Sequence, residues 1–421
     1  MTSSVSEMNT VSPAHNPERT LERALRCILG CADNGTLPSA ESLVENPKTQ
    51  PPAVVSWNPS HSTMEYIGRL GYQRIRRFAV LPSRQSVRWL LPQGGGRKEG
   101  YGFRHFYTPF STKARIWKNL VVRMMAAGMQ GWLQGLMIAS KEQLPLERLI
   151  TEVTREERAT LAFSLGIGGP FTKLTVQVMR PNGETLGYIK LPLGDKAHSR
   201  LRHEAVMLER LQGFPKLRPH LAHPLFAGLW EGAYVLFQSR LTGNPGPTRF
   251  TQLHENFLQV LQDCHRVCLS GTSLIQSVAD KWERTMQRLG SRWQDLGREV
   301  LRSATRELDA ALVPCGILHG DFAPWNTRVH NDELSLFDWE SAVWEAPLGW
   351  DKFHFLVQVD CLLNKGRGAD PPSILTNGER GSYLLYLLKS GLQLVEEDAS
   401  PIGIEHREKL LRQQLSGELP I

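Results

Sequence analysis

Two short stretches in the last third of the chain hold oxygen-bearing side chains at spacings that suit phosphoryl transfer. Leu318-His-Gly-Asp-Phe-Ala-Pro-Trp-Asn326 sets Asp321 and Asn326 five residues apart on a loop. Leu334-Ser-Leu-Phe-Asp-Trp-Glu340 then brings in Asp338, twelve residues after Asn326 and behind a short apolar strand. Moving a phosphoryl group calls for one carboxylate near the acceptor hydroxyl and for oxygen ligands that hold magnesium on a triphosphate. Magnesium takes one or two carboxylates and completes its octahedron with phosphate and water oxygens. Asn326 and Asp338 are of the right type for the ion, and Asp321 is the remaining carboxylate, available for base or positioning work. Taken singly, an Asp and an Asn on a loop are more often turn formers. Their order with the residues upstream gives them weight.

The pattern His319-x-Asp321-x4-Asn326 with Asp338 downstream resembles the catalytic and metal loops of the aminoglycoside phosphotransferase and choline kinase-like family, small-molecule relatives of the protein kinases. The likeness runs over about Leu161 to Leu362. It implies a kinase-like fold, ATP (or GTP) and Mg2+. By it, Asp321 is the catalytic base, Asn326 and Asp338 are the metal ligands, and His319 braces the loop. The run Leu348-Gly-Trp-Asp-Lys-Phe-His-Phe355 resembles the family's next segment, whose aspartate, here Asp351, supports the catalytic loop; Glu340 is expected beside the metal. Lys190 stands where the family keeps the lysine that reaches the nucleotide phosphates. Glu204, 14 residues on, or Glu209 further along the same helix, would pair with it. The bend at Gly166, Gly168 and Gly169 lies where a phosphate-covering loop belongs, and small residues there let backbone N–H groups approach phosphate oxygens. An ordinary hairpin loop would read the same way.

Two departures from protein kinases bear on the acceptor. Asp321 is followed by Phe-Ala-Pro-Trp, without a lysine two positions on, and the metal loop reads Asp338-Trp-Glu340 in place of Asp-Phe-Gly. Both favour a small-molecule hydroxyl, such as a sugar, aminoglycoside, amino alcohol or glycan intermediate.

The elements that must position these residues fall into an α+β, two-lobed, protein-kinase-like plan: a strand-rich N-lobe, a helical C-lobe and an additional basic N-terminal region. Residues 1–60 read as a weakly ordered extension, polar and broken by proline, with one helical piece at Leu21–Cys31. Residues 61–150 read as a basic accessory domain, with a hairpin at Phe78–Pro92 and an apolar helix over Ile116–Ile138. The N-lobe is expected over 151–241, with strands on both sides of the glycine bend, at Leu186–Leu191, Leu225–Leu229 and Tyr234–Gln238. A helix over Arg200–Leu211 carries Leu201, Ala205, Leu208 and Leu211 on one stripe. The linker Thr242–Pro247 opens the C-lobe, 242–421, with helices at Leu253–Cys268, Val278–Leu289 and Trp293–Leu312.

The chain has 421 residues, 41% hydrophobic and 22% charged, with 11 Trp and 15 Phe, which excludes a wholly disordered, collagen-like or coiled-coil protein. The formal net charge is +7, yet His61–Ser140 alone holds thirteen Arg and Lys against Glu65 and Glu99, so the other 341 residues sum to −4. Such a segment suits an anionic partner, a glycan or a membrane surface, over nucleic acid, since no nucleic-acid signature accompanies the interleaved Arg and aromatic residues. That leaves an alternative from another class: an inert, nucleotide-binding kinase-like adaptor working through its basic region. Met1–Pro17 lacks a secretory pattern, and the longest uncharged run, Met124–Ser140, is 17 residues with three Gly, short of a span. A cytoplasmic protein, peripheral to a membrane at most, is the expectation. Six cysteines are too sparse for a disulfide scaffold. Cys264-His265-x-x-Cys268, on one helix face, lacks two further donors for zinc and reads as buried thiols, as do Cys27 and Cys31. The sequence names neither the acceptor nor the oligomeric state.

Overall fold

The computed structural model describes residues 17–31, 37–45, 50–93, 103–104, 106, 108–109, 111–128, 133–166, 169–194, 196–364, 377–399 and 401–416. The chain divides into two compact units.

The first unit runs to Ala205 and includes His223–Arg240. In chain order its elements are α1 (Pro17–Leu29), α2 (Ala40–Glu45), β1 (Ala53–Trp57), α3 (His61–Arg69), β2 (Arg74–Leu81), β3 (Trp89–Pro92), α4 (Thr112–Ala126), β4 (Gly135–Ser140) and α5 (Pro145–Thr154). There follow β5 (Thr160–Leu165), β6 (Lys173–Met179), β7 (Thr185–Pro192), the first part of α6 (Ala197–Gln212), β8 (Pro224–Trp230) and β9 (Ala233–Ser239). The strands form one nine-stranded sheet in the order β1-β4-β2-β3-β5-β6-β7-β9-β8, antiparallel throughout. Alternation sorts its side chains to two faces. Leu136 and Ile138 of β4 join Phe78, Val80, Phe163, Val176 and Ile189 under α1 and α5. Met137 and Ala139 turn the other way, to Ala40, Leu43, Ile67 and Tyr72 of α2, α3 and the turn after α3.

Three sequence expectations change here. The extension over 1–60 is not loose where it is described: Leu21, Ala24, Leu25, Ile28 and Leu29 form an apolar stripe at 3–4-residue spacing that is buried on the sheet, and Ala53–Trp57 is its edge strand. Five apolar side chains on one helix face dock it; Pro17 opens the helix and Gly30, at a left-handed φ of +68°, follows its end. The basic region is not a separate domain. Its β3 pairs with β5 through Trp89↔Ser164 and Leu90↔Phe163, which makes 53–93 and 135–192 parts of one sheet. The apolar stretch Ile116–Ile138 is not one helix: α4 ends at Ala126, Gly128 takes a left-handed φ of +70°, and Gly135–Ser140 is a strand. Leu136 to Ser140 are all buried because β4 lies inside the sheet with both faces covered, and a strand buried on both faces loses its alternation. Part of the positive charge is used internally, in Arg76–Glu147 and Arg69–Glu65 pairs and in Arg84 stacked 4.5 Å from the Trp57 ring.

The second unit comprises Val206–Ala222 and the chain from Leu241. It contains β10 (Asn244–Pro245), α7 (Gln252–Cys264), β11 (Arg266–Ser270), α8 (Gly271–Thr285), α9 (Ser291–Leu308), β12 (Leu312–Leu318), β13 (Thr327–His330), β14 (Glu333–Leu336), β15 (Val343–Pro347), α10 (Trp350–Leu362), α11 (Asn377–Glu396) and α12 (Pro401–Ser416). Leu384 to Leu388 of α11, Val300 and Ala304 of α9 and Trp350, Phe353 and Val357 of α10 share one core. Two three-stranded sheets, β11-β12-β15 and β10-β13-β14, frame the stretch from His319 to Asp338. The β13–β14 hairpin closes through Asn331 and Asp332 at φ of +50° and +58°, the pair of left-handed residues a two-residue hairpin turn requires. The helix expected over Leu253–Cys268 stops at Cys264; Arg266–Ser270 is a strand paired with β12. Cys264 and Cys268 therefore share no helix face, and Cys268 is exposed, not a buried thiol. Cys27 and Cys31 are half-buried free thiols.

The α+β class and the succession of a strand-rich unit by a helix-rich one are as the sequence implies. Among the described residues no helix is long and apolar enough to cross a membrane.

Candidate active site

The second unit's site begins where β12 runs out. His319 follows it, wholly buried, and Gly320 takes a φ of +80° that turns the chain sharply; a Cβ there would lie 2.2 Å from the carbonyl oxygen of Ser341. Asp351, near the start of α10, accepts the backbone N–H of His319 (2.8 Å) and of Gly320 (3.0 Å) on its two carboxylate oxygens. Burial raises the Asp351 pKa, against the lowering influence of His319 and of those two N–H groups. The loop is thus gripped from below by a side chain 31 residues downstream of Gly320. His319 ties it sideways. Its Nδ1 accepts the Asp321 N–H (3.2 Å), so Nε2 carries the proton and donates it to the Phe337 carbonyl (3.1 Å). The ring also stands edge-on to the buried Trp339, 4.6 Å between centroids.

Asp321 emerges from this frame with its side chain about a third exposed. Asn326, on the short 3-10 turn Pro324–Asn326, donates from Nδ2 to the Asp321 carbonyl (2.9 Å) and to Asp321 Oδ2 (2.8 Å). With its nitrogen spent on Asp321, the amide presents its other end, Oδ1, as an oxygen ligand. The Asn326 carbonyl accepts the Phe337 N–H (3.1 Å), which sets the turn beside the residue preceding Asp338. Asp338 itself adopts a left-handed conformation, φ +72° and ψ +55°, and opens the 3-10 turn Trp339–Ser341. Non-glycine residues hold that conformation at a cost and mostly where the surroundings require it. A carboxylate oxygen of Glu340 lies within 4.8 Å of one of Asp338. Amide and carboxylate oxygens are the donors a hard cation such as Mg2+ takes, so Asn326, Asp338 and the adjoining Glu340 fit that ion.

A histidine that the sequence reading did not single out touches Asp321. His354, one turn after Asp351 on α10, has Nε2 3.1 Å from Asp321 Oδ1, and its Nδ1 lies 3.2 Å from the Tyr386 hydroxyl of α11. The signal was available in part, because Asp351 and His354 stand at i and i+3 and must share a helix face. Behind Asp321, Phe322 packs with His254, Phe257 and Phe355. His254 is wholly buried; its Nδ1 accepts the Thr251 N–H (3.0 Å), and burial lowers its pKa to about 4.

In the first unit, Lys190 lies on β7 between β6 and β9, opposite Thr175 and Leu236. Its Nζ is 2.5 Å from Glu204 Oε1, and the two residues are 4% and 0% exposed. Glu209, the other candidate, is exposed. The choice follows from helix geometry: Glu204 stands three residues after Leu201 and four before Leu208, on the buried stripe, whereas Glu209 is turned away from it. The second oxygen, Glu204 Oε2, is buried and accepts no hydrogen bond among the described residues. Gly166 and Gly169 belong to the β5–β6 connection; Gly168 lies outside the described residues. Gly169 takes φ +113° with open space where a Cβ would be, and its carbonyl accepts the Thr172 hydroxyl (2.8 Å), which closes the bend.

Residues 189–348, the span from Lys190 past Asp338, match the family model described as "Phosphotransferase enzyme family". No curated protein matches the chain. Among solved structures, the apo form of a thermostable mutant of aminoglycoside phosphotransferase APH(4)-Ia aligns at 13% identity, over 65% of this chain and 100% of that one, with a TM-score of 0.47. The GDP complex of wild-type aminoglycoside 2'-phosphotransferase-IIIa aligns at 12% identity, over 66% and 100%, with a TM-score of 0.44. The kinase-type resemblance drawn from the sequence is therefore borne out over residues 189–348, where this chain matches the phosphotransferase enzyme family.

Proposed function

We propose that this protein transfers the γ-phosphoryl group of ATP (or GTP) to a hydroxyl of a small molecule. The observation that carries the reading is the hold on Asp321: Asn326 grips one carboxylate oxygen at 2.8 Å, His354 stands 3.1 Å from the other, and Asp351 fixes the backbone beneath. An inert module has no use for a partly exposed carboxylate held so closely. Asp321 orients the acceptor hydroxyl and takes up its proton; the alcohol oxygen bonds to the γ-phosphorus as the bond from phosphorus to the β–γ bridging oxygen breaks, and ADP leaves. Lys190, kept in place by Glu204, supplies a positive charge for the phosphate oxygens. Asn326 and Asp338, with Glu340 adjoining, would hold Mg2+, which when bound offsets charge on the phosphates. The acceptor is an alcohol of small size, in the range of sugars, aminoglycosides and amino alcohols.

The test is Mg2+-dependent ATP and GTP turnover across a panel of hydroxylated metabolites and aminoglycosides, compared with D321N and D338A. Turnover that some acceptor stimulates and that both substitutions abolish supports the reading. Turnover that survives both sinks it, and nucleotide binding with no turnover on any acceptor favours the adaptor alternative.

A further inference from the structure

We propose that His354 is a positioning residue for Asp321, and that Tyr386 sets the tautomer in which it acts. The inference rests on the assignment of Asp321 as the group that receives the acceptor's proton. Three side chains meet the His354 ring: Asp321 Oδ1 at 3.1 Å and the Gln358 amide at 3.3 Å, both from Nε2, and the Tyr386 hydroxyl at 3.2 Å from Nδ1. The ring is nearly enclosed, its side chain 12% exposed. A neutral imidazole carries one proton, on one nitrogen. If that proton sat on Nδ1, Nε2 would aim a lone pair at a carboxylate, acceptor against acceptor. With the proton on Nε2, the ring donates to Asp321 Oδ1 and Nδ1 accepts the Tyr386 hydroxyl, so the carboxylate and the phenol are both paired. Burial pushes the Tyr386 phenol up to about 12, which keeps it a donor. A ring protonated at Nε2 also calls for the Gln358 amide to turn its oxygen to that side, a half-turn about a bond whose two ends are nearly equal in shape.

The consequence concerns geometry. Asn326 already donates to Oδ2, so the His354 donor gives each carboxylate oxygen its own fixed partner. The carboxylate plane then cannot rotate, and one lone pair keeps its aim at the place where a hydroxyl proton must arrive. A misplaced catalytic group costs rate while leaving the binding of distant parts of the substrate largely untouched. The effect is expected in kcat, with KM for the nucleotide little changed.

The experiment uses the full chain with Mg-ATP and water as the acceptor, so that no identified alcohol is needed. H354L is expected to lower kcat by about ten- to a hundredfold, the worth of one hydrogen bond to a charged group, with KM for ATP within about twofold. H354Q, whose amide nitrogen can donate in place of Nε2, recovers most of that loss. Y386F costs less than H354L in the wild-type background and nothing further in the H354L background, because it acts through the ring. An independent reading comes from 15N chemical shifts of the histidine rings, assigned by loss of signal in H354Q: His354 shows the Nε2-protonated tautomer, and Y386F shifts it toward a mixture. A wild-type kcat in H354L, an H354Q no better than H354L, or an Nδ1-protonated ring in the wild type overturns the proposal. D321N separates the two levels of the argument: if D321N keeps its turnover, the assignment of Asp321 fails, whereas loss in D321N with none in H354L refutes the role of His354 alone.

Discussion

Replacing Asp351 measures how firmly the loop that carries Asp321 is held. Its carboxylate accepts two backbone N–H groups, from His319 at 2.8 Å and Gly320 at 3.0 Å, in a position 4% exposed. A hydrogen bond to an ionised group contributes about 1.5–3 kcal/mol, and a buried donor left without an acceptor costs about 1–3 kcal/mol. D351A removes both acceptors and leaves a small void, so a loss of about 4 kcal/mol is expected. D351N keeps one carbonyl oxygen but turns an NH2 toward the other backbone donor. It also removes a carboxylate whose pKa burial has raised, which returns part of the loss, and about 2 kcal/mol is expected. Both losses lie below the total stability of about 5–15 kcal/mol typical of folded proteins, so both variants remain measurable. Urea unfolding read by tryptophan fluorescence, with the m-value held equal to that of the wild type, gives the two differences. Turnover should fall in the same order, since His319 and Gly320 carry Asp321. A D351N variant within about 0.5 kcal/mol of wild type, or one as costly as D351A, would refute the idea that two N–H contacts to this carboxylate hold the loop.

Further expectations concern other buried groups. K190M leaves Glu204 charged in a 0% exposed position and should cost about 3–5 kcal/mol, whereas K190M/E204M should regain most of that stability while still losing turnover; thermal unfolding together with the nucleotide assay separates the two effects, and a double variant no more stable than K190M contradicts the pairing. G320A places a Cβ 2.2 Å from the Ser341 carbonyl oxygen at φ +80° and should cost more than about 1 kcal/mol, read as a lower unfolding temperature and slower turnover. His254 gives a pH dependence. Its pKa is about 4 in the folded protein against 6.5 for the free side chain, so between these values the unfolded chain binds a proton that the native chain does not. Stability attributable to this residue is therefore complete above pH 6.5 and is lost as pH falls toward 4, by about 3 kcal/mol in all. H254F should flatten that segment of the stability–pH curve; an unchanged slope would show that other groups cause it.

The side chains of the candidate site were legible because they lie close together along the chain. Asp321, Asn326 and Asp338 are spaced on one loop–hairpin–loop, and the covalent path from β12 through the Asn331–Asp332 turn brings Asn326 and Phe337 into hydrogen-bonding reach. Glu204 was legible in principle too, since it falls on the stripe of Leu201 and Leu208 while Glu209 does not. What escaped the sequence depends on burial contributed from far away. Leu136-Met-Ile-Ala139 reads as part of an apolar helix until β1 and β2 flank it and helices cover both faces. Nothing in Trp89 or Leu90 announces that β3 will pair with β5 and fuse the basic region to the larger sheet. The cysteine pair at 264 and 268 keeps helical spacing, yet β12 recruits Arg266–Ser270 as a strand because an unpaired sheet edge offers those backbone groups hydrogen bonds.

The amino-acid sequence by itself determined which chemistry the chain can attempt, since residue type and short spacing are written directly in it. Only the tertiary structure decided which groups surround Asp321, because His354 meets it from a helix 33 residues further on and Tyr386, from the next helix, meets His354. Such distant partners meet only when the packing of the whole unit lowers the free energy of bringing them together.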